Sequence, residues 1–130
     1  MAENARRYAF NRTRQAFLAT RLQVADRHWT RLWGLMGRPP GAFVVGQGLW
    51  IKPCHGVHTF ALRFAIDVIY LDAQHRVVHV EENVKPWRLT PILTEAATVL
   101  ELPSRTVWHS GTQVGDELEI VLDQGRGAAA

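Results

Sequence analysis

The chain has 130 residues, 47% of them hydrophobic and 21% charged, with a net charge of +3 and one cysteine, Cys54. That length fits one domain with a single core, and the ordinary apolar fraction excludes wholesale disorder. A lone cysteine excludes an internal disulfide framework, and no apolar run approaches the ~18 residues of a membrane span.

Charge is spread unevenly. Residues 1–38 carry eight arginines against Glu3 and Asp26, a net of +6, whereas residues 39–130 carry seven basic against ten acidic side chains, a net of −3. Residues 1–14 are polar and arginine-rich, with no signal-peptide pattern, and are expected to be a flexible basic arm in a cytoplasmic protein. Contact of Arg6 to Arg31 with nucleic acid or an anionic surface is one reading. A solvated arginine face is the plainer one, because the arginines are dispersed and few aromatics interleave, so nucleic acid is not expected as a partner.

In chain order, Gln15–Ala25 alternates imperfectly and reads as a first strand. Asp26 has N-cap chemistry, and Trp29, Leu32, Trp33 and Met36 stand at helical spacing. A short helix over Arg27–Met36 follows, stopped by Gly37 and Pro39–Pro40. From Pro39 onward, closely spaced Gly and Pro divide the chain into extended pieces. Gly48–Lys52, Val57–Leu62, Ile66–Leu71, Val77–Val80, Thr98–Leu102 and Glu117–Leu122 are the predicted strands. Ile66–Leu71 and Val77–Val80 form a hairpin across the polar turn Asp72–Arg76. Residues 84–94 hold Pro86 and Pro91 and are expected to be an ordered irregular loop. Ser104 can cap one short turn ending at Gly111. The expected fold is β-rich α+β: residues 15–123 as one rolled or barrel-like, mostly antiparallel sheet of short strands with one short flanking helix, and 124–130 as a disordered tail.

The strings Gly34-Leu35-Met36-Gly37-Arg38, Gly48-Leu49-Trp50-Ile51 with Pro53-Cys54, His58-Thr59-Phe60 and Ile66-Asp67-Val68 fall in one order along the chain. Val84-Lys85-Pro86-Trp87-Arg88, Leu100-Glu101-Leu102-Pro103 and Gly115-Asp116 continue it. From Thr20 to Val121 this resembles the domain-of-unknown-function 192 family. The resemblance implies a small bacterial or archaeal single-domain protein of mostly β structure and brings no activity with it. Many relatives carry an export signal or lipid anchor. The chain departs from the family at Leu62, where methionine is common, and at Ala65 and Ser104, where proline and glycine are.

Two clusters could carry chemistry, the first of them in two ways. Cys54, His55 and His58 offer a thiolate and two imidazoles, which suits a metal site or a Cys–His nucleophile, although four-ligand zinc lacks a second cysteine. A buried structural thiol beside a turn is the plainer reading, and no cofactor is expected. His58, Thr59, Arg63, Asp67, Lys85, Trp87 and Glu101 set polar groups among apolar strands. They could line a polar cleft with Trp50, Trp87 and Trp108 as walls. Alternatively, Arg63–Asp67 and Arg88–Glu101 are buried ion pairs that fix sheet register, because a buried carboxylate needs a partner. The sequence therefore leads to a non-catalytic ligand-binding or accessory module, monomeric or weakly dimeric, for a small polar ligand or a protein partner. A small metal protein or enzyme at Cys54, His55 and His58 is the alternative.

Overall fold

The computed structural model describes residues 6–25 and 35–122. The strands are β1 (Arg7–Asn11), β2 (Ala16–Ala19), β3 (Arg21–Ala25), β4 (Gln47–Ile51), β5 (Ile66–Leu71), β6 (Val77–Val84), β7 (Thr98–Pro103) and β8 (Leu118–Leu122); the helix α1 spans Thr106–Ser110. The predicted helix over Arg27–Met36 lies outside the described residues except for its last two.

β2, β1 and β8 make a three-stranded antiparallel sheet, and a five-stranded sheet runs in the order β3-β4-β7-β5-β6. Within it β3 and β4 are parallel and the other neighbours antiparallel. The fold is thus β-rich α+β, made of two sheets rather than one closed barrel. Two apolar cores form on the two faces of the larger sheet. Leu22, Trp50, Ile69, Leu71, Leu100 and Leu102 meet Ala9 and Leu18 of the smaller sheet. On the other face, Leu49, Ile51, Val68, Tyr70 and Val99 pack beneath loop residues such as Cys54, Val57 and Leu62. Covering both faces leaves every residue of β5 and β7 buried, which explains the near-continuous apolar run of Ile66–Leu71.

Four expectations are corrected. Arg7–Asn11 is not part of a flexible arm but the central strand of the smaller sheet. Its polar character conceals this: Asn11 is buried, and its amide donates to Thr112 Oγ1 at 2.9 Å and to Asp116 Oδ2 at 3.0 Å. The predicted strand over 15–25 breaks at Thr20, where the N–H groups of Thr20 and Arg21 both donate to the Gly46 carbonyl and the chain passes from one sheet to the other. Residues 57–62 pair with the 84–94 loop through the single bridge His58–Leu89 instead of joining a sheet. Ser104 does not cap α1. Its hydroxyl donates to Asn83 Oδ1 at 2.8 Å, and the N-cap position is Arg105 in a left-handed conformation (φ 79°).

Candidate functional site

Asp67 is the second residue of β5 and has no exposed surface. Strand alternation points it to the face that carries Ile69 and Leu71, between the two sheets. Its Oδ1 accepts the backbone N–H of Asn83 at 2.8 Å, and its Oδ2 accepts that of Val107 at 2.8 Å. Arg63 is exposed, and among the described residues no ion pair joins Arg63 to Asp67 or Arg88 to Glu101. Both expected pairs are therefore corrected: backbone donors take the place of the arginine at Asp67. Glu101, also buried, pairs in register with Leu49 and Val68, so it projects from the opposite face of the sheet. Asp67 and Glu101 do not share a cleft.

Thr59 is the centre of a second construction. Its buried hydroxyl donates to the Lys85 carbonyl at 2.6 Å and accepts the Arg88 N–H at 2.8 Å. Its N–H donates to the Arg88 carbonyl, and its carbonyl accepts the Trp87 N–H. One turn further along, the Val57 N–H donates to Thr90 Oγ1, and the Thr90 N–H to the Val57 carbonyl. The loop of residues 84–94 is thereby clipped along residues 55–60. The outward face of the clip holds a row of rings. His58 stacks on Phe60 with centroids 4.8 Å apart, and Phe60 on Trp87 at 5.7 Å. Trp87 is 63% exposed and held at φ 65°, a conformation costly for a residue with a Cβ.

Beside this row run two adjoining depressions that share Glu82 and Asn83. One, of about 300 Å³, is lined by Glu81, Lys85 and Arg88. The other, of about 350 Å³, is lined by Ser104, Arg105 and Trp108, with Asp67 beneath. The Arg105 guanidinium lies 5.5 Å from the Trp108 ring, a cation–π arrangement that steadies an otherwise exposed indole. The structure therefore gathers His58, Thr59, Lys85 and Trp87, sets Asp67 under the far end of the groove, and leaves Arg63 and Glu101 elsewhere. Trp50 is no wall: it is buried, with Nε1 donating to Thr98 Oγ1 at 3.0 Å. Phe60, Glu82, Asn83 and Arg105 escaped the sequence reading. The polar alternation after Val80 is a faint signal for Glu82, and none points to Arg105.

Cys54, His55 and His58 do not converge. The Cys54 thiol is buried and donates to the Gly56 carbonyl at 3.1 Å. His55 Nδ1 lies 2.7 Å from the Ala96 carbonyl, and His58 Nδ1 accepts the Phe60 N–H at 3.2 Å. Among the described residues no three His, Cys, Asp or Glu side chains gather as a metal-holding set. No helix among them is long and apolar enough to cross a membrane.

Residues 9–120 match the model of DUF192, a family described as an uncharacterized ACR. The chain is 27% identical over 123 residues to a UPF0127 protein of Thermococcus sibiricus, covering 91% of this chain and 77% of that one. It is 31% identical over 104 residues to one of Pyrococcus abyssi (76% and 85% covered). With the Pyrococcus furiosus relative the identity is 30% over 114 residues (84% and 94%). Two crystal structures share the fold. A Sinorhizobium meliloti protein described as a candidate transcription regulator superposes with TM-score 0.69 at 20% identity, over 89% of this chain and 92% of that one. A protein of unknown function from Novosphingobium aromaticivorans gives 0.70 at 18%, over 88% and 83%.

Proposed function

The chain belongs to the DUF192 family, and we propose that it is a non-catalytic binding module whose groove along Glu82 and Asn83, flanked by Trp87 and Trp108, takes an extended polar ligand of mixed charge, the chemistry of a polypeptide segment. The observation that carries this reading is the Thr59 clip. Four hydrogen bonds through one buried threonine hold an exposed indole in a costly backbone conformation. A chain that folded for stability alone gains little from such an arrangement, whereas a pre-organised aromatic face lowers the entropy lost on binding. Carboxylates at Glu81 and Glu82 and cations at Lys85, Arg88 and Arg105 give the groove both signs of charge. Together with two exposed tryptophans, that suits a peptide better than a neutral sugar.

The test is a titration of the isotope-labelled chain with a set of synthetic octapeptides, followed by amide shifts. Perturbations should cluster at Glu82, Asn83, Lys85, Arg88 and Arg105. Trp87→Ala should weaken them about tenfold or more while leaving the melting midpoint nearly unchanged, as truncating an exposed anchor does. Shifts scattered away from the groove, none at all, or equal shifts from a neutral oligosaccharide would overturn the reading.

A further inference from the structure

A different concavity, sharing no residue with the groove, gathers three arginines from three separate segments. Arg7 comes from β1, Arg21 from β3 and Arg38 from the stretch before β4, and they rim a cavity of about 330 Å³. Gln23, Gln47 and Thr20 add neutral polar groups, Leu49 and Phe43 apolar surface, and no carboxylate is among the described lining residues. Arg12, Arg14 and Arg76 all have acidic partners, yet among the described residues none of the three rim guanidiniums makes an ion pair. Gathering unpaired like charges round one hollow is unfavourable for the empty protein, and it is relieved by an anion seated between them. A run of charges on one strand face would not produce the arrangement, because the arginines converge only once the two sheets are packed.

We infer that this cavity is a binding site for the phosphate group of a small phosphorylated molecule, with the guanidiniums as its forked donors. Arginine's planar fork matches phosphate oxygens two at a time, and three forks from different directions favour a tetrahedral, multiply charged group over a single carboxylate. The cavity is of the size that holds a small ligand, and its apolar floor suits the body to which the phosphate is attached.

Calorimetric titration of the intact chain at low ionic strength, with pyrophosphate, AMP, adenosine, citrate and an oligothymidylate as probes, tests the inference. Pyrophosphate and AMP should bind saturably, and adenosine should not. Replacing all three arginines (R7Q, R21Q and R38Q together) should abolish this binding, and each single change should weaken it about tenfold. All three side chains are at least partly exposed, so the variants should fold, which a melting curve checks. A control triple of equal charge change elsewhere (R12Q, R63Q and R76Q) should leave AMP affinity within about threefold if the site is local, because distant surface charges are screened. Equal loss in the two triples, tighter binding of citrate than of AMP, or binding confined to the oligothymidylate would each overturn the proposal. So would the absence of saturable binding by any phosphorylated probe.

Discussion

The carboxylate of Asp67 in β5 receives the backbone N–H of Val107, 40 residues further along, at 2.8 Å. It thereby supplies to the first turn of α1 the acceptor that no local side chain provides. Its other oxygen takes the N–H of Asn83, which stands at φ 53° beside a register shift between β5 and β6. One buried charge ties together a strand, a distorted strand end and a helix start.

Asp67→Asn should therefore lower stability by about 1–3 kcal/mol. The amide keeps one acceptor but turns an N–H toward a backbone N–H. Arg63→Gln, at the exposed residue first expected to pair with Asp67, should stay within about 0.5 kcal/mol. Urea unfolding of the two variants against the parent decides the matter, and equal losses in both would contradict the backbone role.

How far the sequence foretold this molecule follows from where the determining contacts lie. Ile66–Leu71 and Thr98–Leu102 were legible because central strands with both faces covered are apolar at most positions, Asp67 and Glu101 being the exceptions. Arg7–Asn11 was not, because its burial depends on Asn11 meeting Thr112 and Asp116 about a hundred residues away. Asp67 stood out as an unexplained carboxylate, yet its partners are main-chain groups, which no side-chain pattern can announce. The same holds for the clip. Thr59 and Trp87 were both suspected, but their connection runs through backbone atoms of Lys85 and Arg88. Of the residues lining the two depressions, side-chain pattern singled out Asp67, Lys85 and Trp108, and tertiary hydrogen bonding brought Glu82, Asn83 and Arg105 beside them.

Two groups should give stability a pH dependence of known sign. Burial is the largest influence on His75 and, with Lys52 nearby, outweighs the opposite pull of Asp72, so its pKa is held below the usual 6.5. The fold favours the neutral ring. That contribution is complete above pH 6.5 and is lost as pH falls through the lowered value. At Asp116, burial pushes the pKa up, but hydrogen bonds from Arg14, Asn11 and the Gln113 N–H, with the Arg14 charge, more than offset it and hold the carboxyl below its usual 3.8. This second contribution is present above pH 3.8 and is lost as pH falls further. Unfolding free energies measured from pH 8 to pH 2 should decline in two regions. His75→Asn, which tolerates the left-handed backbone there (φ 65°), should flatten the upper one, and Asp116→Asn the lower.

Gly56 faces the clip from beneath. A Cβ built there would stand 2.6 Å from the Pro91 carbonyl oxygen and 3.3 Å from Ile92 Cα, both backbone atoms that cannot swing aside. Gly56→Ala should force residues 91–92 outward, at a cost of about 1–3 kcal/mol. Amide shifts should move along Leu89–Leu93, whereas β1, β2 and β8 should keep theirs. An alanine variant with unchanged stability and shifts would mean that the two segments pack less closely than described.

Tyr70 couples the same loop to the core. Its ring is fully buried in β5, and its Oη lies 2.6 Å from both Thr90 Oγ1 and the Pro91 carbonyl. Burial also raises the phenol pKa, keeping the hydroxyl protonated as a donor across the accessible pH range. Tyr70→Phe keeps the packing and removes only the oxygen, leaving the buried Thr90 hydroxyl and the Pro91 carbonyl with one partner fewer. The loss should be about 1–2 kcal/mol. It should fall on the loop more than on the sheet, because the ring still fills the core. Hydrogen exchange separates the two. The Thr90 and Leu93 amides, which donate to the Val57 and His55 carbonyls, should exchange faster by tenfold or more, while the amides of β5 and β7 slow or quicken only with global stability. Peptide binding in the groove should then weaken although no lining residue has changed. If Thr90 protection falls no further than that of β7, the clip stands without Tyr70 and the pre-organised face does not depend on the core beneath it.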